Sequence, residues 1–308
     1  MNFFERMQNL DRRYIFILVA VAVILPLIFP LGLPTYPTPP VESMFQHIDA
    51  ASNRKDKAIL MSIAHDPSTM PELYPMEISM LRHCFERNIK VFLIGFFPQA
   101  AAIAEMALKE VLEDYPDKSA GVDYCNFGFK PSAIMIPIIL GMGDDISKAI
   151  ETDAQGNKLE NLPIMQNIKN YDNIQMVVEF SGGSFGGVWI TYARAKFGVD
   201  VGCGITAVIA AQTYPYLQTG QLKGSLGGLK GAAEYEKLVD IFAKPQKTFS
   251  RKKLTDKQYL KQFPLSKTTY KYKKARIGMD AQAVVHIMII VFIILGNIGY
   301  FVMKGQKK

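Results

Sequence analysis

Cysteine is scarce in this 308-residue chain: Cys84, Cys125 and Cys203 are the only three, and no two form a CxxC pair. That argues against a disulfide framework and against a cysteine-rich zinc site as the organising device. Histidine is nearly as rare, at His47, His65, His83 and His286. A histidine-based acid–base pair would therefore have to combine His65 with a distant partner, because His83 and Cys84 are adjacent on an expected helix and point apart. Signature loops are missing too. No GxGxxG or GxxxxGK[ST] occurs, so no motif names a nucleotide; Ser184 stands within GGSFG (182–186), which matches GxSxG, and hydrolysis stays among the competing readings. Long apolar runs are absent between the two ends. With a mean hydropathy of only +0.09, the chain is no multi-spanning transporter.

At the two ends the opposite holds. Residues 14–33 read YIFILVAVAVILPLIFPLGL and residues 283–303 read AVVHIMIIVFIILGNIGYFVM, neither with a charged side chain. About 20 apolar residues at 1.5 Å each cross the hydrocarbon of a bilayer, so one transmembrane helix is expected near each end. Pro26 and Pro30 would kink the first, and a proline-rich spacer, PTYPTPP, follows it in place of a small-x-small cleavage site. His286 and Asn297 lie within the second run, where contact with another helix is the expected use of each. Arg6, Arg12 and Arg13 precede the first run, and no Lys or Arg follows until Arg54. This bias points to cytoplasmic termini and a central domain on the outer side of a two-pass protein.

The expected organisation is a tail over 1–13, a span over 14–33, a linker with a short helix over 34–56 and an α/β domain over 57–243. A basic segment over 244–282, a span over 283–303 and a basic tail over 304–308 complete it. The central stretch alternates apolar runs with amphipathic segments. Strands are expected at 57–66, 89–97, 122–129, 174–182 and 204–212, with helices between them and a last helix over 220–242. Near-continuous apolar strands separated by helices imply a mainly parallel sheet covered on both faces: a doubly wound, three-layer Rossmann- or flavodoxin-like body. That class hosts many functions and implies none by itself.

Ligands of such sheets bind outside the carboxyl ends of the strands. Two strand ends draw notice. One carries Asp66 and Ser68; it partly matches the DxSxS of integrin-type domains, but Met70 stands in the third position, and a helix cap is the expected role. The other is SGGSFGGVW, with Ser181, Gly182, Gly183, Ser184 and Gly186, where glycines would let a ligand approach the backbone. Residues 95–99 flank the same end. No metal ion and no cofactor is expected. Gly220, Gly224, Gly227, Gly228 and Gly231 recur at intervals of three and four and would line one face of a helix, marking either packing on the sheet or a subunit interface. Lys267, Lys271, Lys273, Lys274 and Arg276, with interleaved tyrosines, suit lipid headgroups better than nucleic acid. These features lead to a non-enzymatic component of a membrane assembly, partnered by the bilayer and by further copies or other subunits. A tethered ligand-binding or sensor module, or an anchored hydrolase using Asp66 or Ser184, are the competing readings.

Overall fold

The structure, a computed structural model, describes residues 11–183, 187–244, 247–251 and 273–306. Two units emerge, Thr35–Ala275 and Met1–Pro34 together with Arg276–Lys308.

The first unit is an α/β body. Its six strands are β1 (Ala58–Ala64), β2 (Lys90–Gly95), β3 (Tyr124–Phe129), β4 (Ile174–Ser181), β5 (Val201–Ile205) and β6 (Gly224–Gly227). All neighbours pair in parallel, in the order β3-β2-β1-β4-β5-β6. Every residue of β1 is buried, as a parallel strand covered on both sides requires. One face is covered by α2 (Pro39–Asp49), α3 (Met70–Glu86), α4 (Ala100–Leu112) and α8 (Gly228–Leu238). The other carries α5 (Met135–Gly141), α6 (Ile146–Ile150), a π-helical stretch at Trp189–Arg194, a 3-10 stretch at Ala207–Thr213 and α7 (Tyr214–Gln218). Local chemistry places these pieces: Pro71 enters the first turn of α3, and Asp145 caps α6 by accepting from the Ser147 and Lys148 N–H groups at 3.0 and 3.3 Å.

The core packs Phe45 flat against His83, ring centroids 4.2 Å apart, and His83 also meets the Tyr235 hydroxyl at 2.7 Å and Asp49 at 3.2 Å. Burial holds the His83 pKa below its ordinary value. For Asp49, burial pushes upward, but the His83 and Arg87 contacts outweigh it and leave the carboxyl below its usual range. Both ends of the body's chain are held by the half of α8 remote from the strand ends. Glu234 accepts from the Thr38 N–H and hydroxyl at 2.9 and 2.7 Å, Lys237 donates to the Thr35 carbonyl, and Glu236 accepts from the Ala275 N–H at 2.9 Å.

Two expectations fail here. The fifth strand is β5 at Val201–Ile205, and most of the run expected as that strand is the 3-10 stretch instead. The glycine-rich stretch is not one helix. Gly220 sits in a turn at φ +72°, Gly224 and Gly227 belong to β6, and Gly228, at φ +60°, opens α8, which contains Gly231. The cause is close packing: a Cβ on Gly224 would stand 2.6 to 2.7 Å from Cβ, Cα and N of Met44, and one on Gly231 would stand 2.8 Å from the Leu226 carbonyl carbon. These two glycines serve contacts inside the body.

The second unit contains α1 (Arg12–Ile28), capped by Asp11, and most of α9 (Lys274–Gln306). Among the described residues only α9 is long and apolar enough to cross a membrane. The first run forms a helix of 17 residues that stops at Ile28, because the residue before a proline, here Phe29 before Pro30, is driven out of helical backbone. At its other end α9 begins nine residues earlier than the apolar run, at Lys274. The Asp280 carboxylate, itself buried, accepts from the N–H groups of Gly32 and Leu33 at 2.8 and 3.0 Å. Of the basic residues expected to face lipid, Lys274 donates to Glu110 at 2.7 Å and Arg276 is buried; Lys273 is half-buried with contacts of its own. Lys267 and Lys271 lie outside the described residues.

Candidate functional site

Strand β1 lies between β2 and β4, and its crossover to β2 runs over one face of the sheet while the crossover from β3 to β4 runs over the other. The loops after β1 and β4 therefore part at this point, where an open α/β sheet leaves its crevice. The two stretches singled out above meet here. A Cβ on Gly182 would stand 2.7 Å from Cγ2 and 2.8 Å from Oγ1 of Thr69, so the Thr69 side chain occupies the notch and Gly182 makes room for it. Asp66 is turned inward on its own loop: Oδ1 accepts from the Ser68 N–H at 2.8 Å and its hydroxyl at 2.6 Å. Those bonds from Ser68 hold the Asp66 carboxyl below the usual carboxylate range. Ser181 is buried and its hydroxyl accepts from the Gly183 N–H at 3.4 Å, while Gly183 itself is exposed. Ser184 and Gly186 lie outside the described residues. Asp66 and Ser68 close a turn within their own loop and do not cap α3, whose N-cap residue Thr69 makes no side-chain cap hydrogen bond.

Three further groups escaped the sequence reading. Beneath Asp66, the His65 ring meets Glu77 of α3, Nε2 to Oε1 2.5 Å, with both side chains fully buried. Burial works against charge on His65, yet the Glu77 contact outweighs it and displaces its pKa upward; burial also raises that of Glu77. The pair thus keeps a shared proton to higher pH than a free imidazole would. Glu77 stands four residues from both Leu73 and Leu81, on the apolar stripe of its helix, and an acid in that position was a signal open to reading. Secondly, Glu72 in the first turn of α3 accepts from the Ala207 N–H at 2.8 Å and ties the loop after β5 to α3. Thirdly, one layer below the strand ends, Ser62, Glu179, Cys203 and Ser225 are in register across β1, β4, β5 and β6. Trp189 donates its indole N–H to Ser62 at 3.2 Å above this row.

Comparison with protein-family models, with curated proteins and with solved structures returns no match. The chemistry of the site has to be read from its own groups. Residues 65–72, 96–99, 181–183 and 206–213 carry Asp66 and Glu72 but no Lys or Arg. The Ser68 and Ala207 N–H groups, which an anion could use, already serve those two carboxylates. A phosphate would meet negative charge and occupied donors. Nor is there an activated thiol: burial pushes Cys125 and Cys203 up to about 12, and Cys84 higher still. Besides Asp66 and Ser68, this end of the sheet presents apolar groups to solvent. Phe97, Phe129, Ile134 and Ile136 are exposed around the ends of β2 and β3, and Val208, after β5, is 90% exposed.

Proposed function

We propose that the protein is a membrane-anchored, non-catalytic component of an assembly, whose α/β body is a doubly wound domain of Rossmann type. The observation that carries this reading is the surface of α9. Beyond its buried first turns, α9 turns Ile287, Ile290, Ile293, Phe301 and their neighbours outward, which water disfavours and lipid hydrocarbon accommodates. The strand order β3-β2-β1-β4-β5-β6 supports the Rossmann rather than the flavodoxin arrangement. A protein-filled notch between β1 and β4 supports an assembly role over a catalytic one.

In this reading α9 spans the bilayer and α1, at 17 residues or about 26 Å, enters it alongside. Arg12 and Arg13 stay with both termini on the cytoplasmic side, and the body lies on the outer side. Alkaline carbonate extraction of membranes tests the anchor: the intact chain stays with the lipid, and its release into the supernatant would sink the proposal. Protease protection in sealed cells tests the sidedness.

A second reading, a tethered sensor, draws on the buried His65–Glu77 pair directly under the β1 loop. It predicts a rise in melting temperature with one class of small molecule. A flat response to nucleotides, sugars, amino acids and amines would remove it.

A further inference from the structure

Helix α9 has two unlike sides. Ala281, Val284, Met288, Phe292, Leu295 and Gly299 recur at intervals of three and four and are buried or half-buried. On α1 a similar stripe, Ile15, Val19, Val23 and Pro26, is partly or wholly covered. At 100° per residue the opposite side of α9 is formed by His286, Ile290, Ile293 and Asn297, spaced four, three and four, and all four are exposed. The two polar side chains within the apolar run therefore share a face that none of the described residues covers. They stand three turns apart, about 16 Å along the axis, with two isoleucines between them.

A polar side chain pointing into hydrocarbon is costly, and a helix carrying two on one line gains by turning that line to another helix. Their chemistry selects the partner. An asparagine amide carries both donor and acceptor, and so does a neutral imidazole. Each can hydrogen-bond to its own copy, which a lone Lys or Asp cannot do. Copies of one chain inserted with the same sidedness can pair only in parallel, and a two-fold axis then sets every residue of the line opposite itself. We propose that the His286–Asn297 face of α9 is a homodimer interface within the membrane, with Asn297 bonded to Asn297 of a second copy and His286 to its counterpart. This rests on α9 lying in lipid, as proposed above.

The test is disulfide trapping in native membranes, with single cysteines placed in the full-length chain at each of positions 288–295 and at 300 and 301. The three native cysteines are buried and contribute no background. Dimer-sized product should peak at 290 and 293 and fall to a minimum at 288, 292 and 295. Asn297→Val should weaken the dimer roughly 3- to 15-fold, the value of one interhelical hydrogen bond. Asn297→Gln should retain it, and Leu295→Val on the other side should leave it unchanged. Trapping that peaks at 288, 292 and 295, adducts only with a chain of another mass, or no product at any position would each overturn the interface. The carbonate extraction separates the two failures. A chain that stays in the membrane without this pattern loses the dimer alone, whereas a chain that is extracted loses the anchor as well.

Discussion

Isoleucine serves opposite ends in the two units. In the body, Ile59 and Ile63 on β1 are shut between sheet and helices with no exposed surface; on α9, Ile287 is 62% exposed and Ile293 57%. The residue type is the same and the local backbone is well suited to it in both places, so the difference lies in the medium each element is built to meet. A body that hides its aliphatics is complete in water. A helix that displays them is complete only when something apolar surrounds it. The carboxyl rim of the sheet falls between these cases: Phe97, Ile134 and Val208 are exposed on short segments that follow buried strands, and Ile209 and Ala210 beside Val208 are half-buried.

Substitutions that treat the two units alike should therefore have unlike effects. The largest belongs to the body: Trp189→Ala removes a fully buried ring and its hydrogen bond to Ser62, and should cost about 3–5 kcal/mol in urea unfolding. A loss under 1 kcal/mol would mean that the π-helical stretch is not part of the core. Next, Ile294→Arg on α9 should make membrane insertion less favourable by about 3–4 kcal/mol, read as a fall in carbonate-resistant protein. The matched change on the rim, Val208→Arg, should leave the melting temperature of the body within the range of an ordinary surface substitution, about ±0.5 kcal/mol. If both behave alike, the contrast between the units is wrong. Gly224→Ala sharpens it from inside: the added methyl meets the Met44 backbone and should cost about 1–3 kcal/mol by overpacking.

The last effect is that of pH. His83 and Asp49 both have folded pKa values displaced downward, so each contributes stability that is present at neutral pH and lost on acidification. For His83 the loss begins as pH falls through its ordinary value of 6.5, with a slope of up to about 1.4 kcal/mol per pH unit; Asp49 adds its share lower, below 3.8. His65 is displaced upward, and its contribution is complete below 6.5 and declines above it, whereas Glu77, also displaced upward, gains stability as pH falls toward 4.5 and opposes the acid limb. Unfolding midpoints measured between pH 7 and 4 should show the decline, and His83→Gln should flatten its upper part. A His83→Gln profile that falls between pH 7 and 5 as steeply as the wild type would contradict the burial of His83.

How much of this was legible follows from what each element relies on. Strands β1, β2 and β4 are rich in Ile, Leu, Met, Val and Phe, whose burial on both sides is written in their composition; β3, YCNFGF, is less apolar, and all four lie within the runs expected as strands. VGCGI and GSLG carry no such mark. Gly202 and Gly224 owe their place in β5 and β6 to Met44, which approaches both closely from α2, more than a hundred residues away in sequence. Spacing of three and four among small residues imitated a helix because close tertiary packing also selects small residues. At the candidate site, Asp66 with Ser68 and Ser181 with Gly182 were read as two separate strand ends; that these ends are neighbours follows only from the strand order. That Thr69 fills the space between them, and that Glu77 lies beneath, depends on where α3 lands relative to β4, which no local pattern records.

The contact of Asp280 with Gly32 and Leu33 joins positions 248 and 247 residues apart. It closes the polypeptide into a ring through a non-covalent latch, with the whole α/β domain as the ring's circumference. A single protease cut in either connecting segment would consequently linearise the backbone without freeing the domain, since the uncut segment still ties it to its apolar helix. Shedding of the domain would demand two cuts, a signature that distinguishes this arrangement from a domain hung on one stalk.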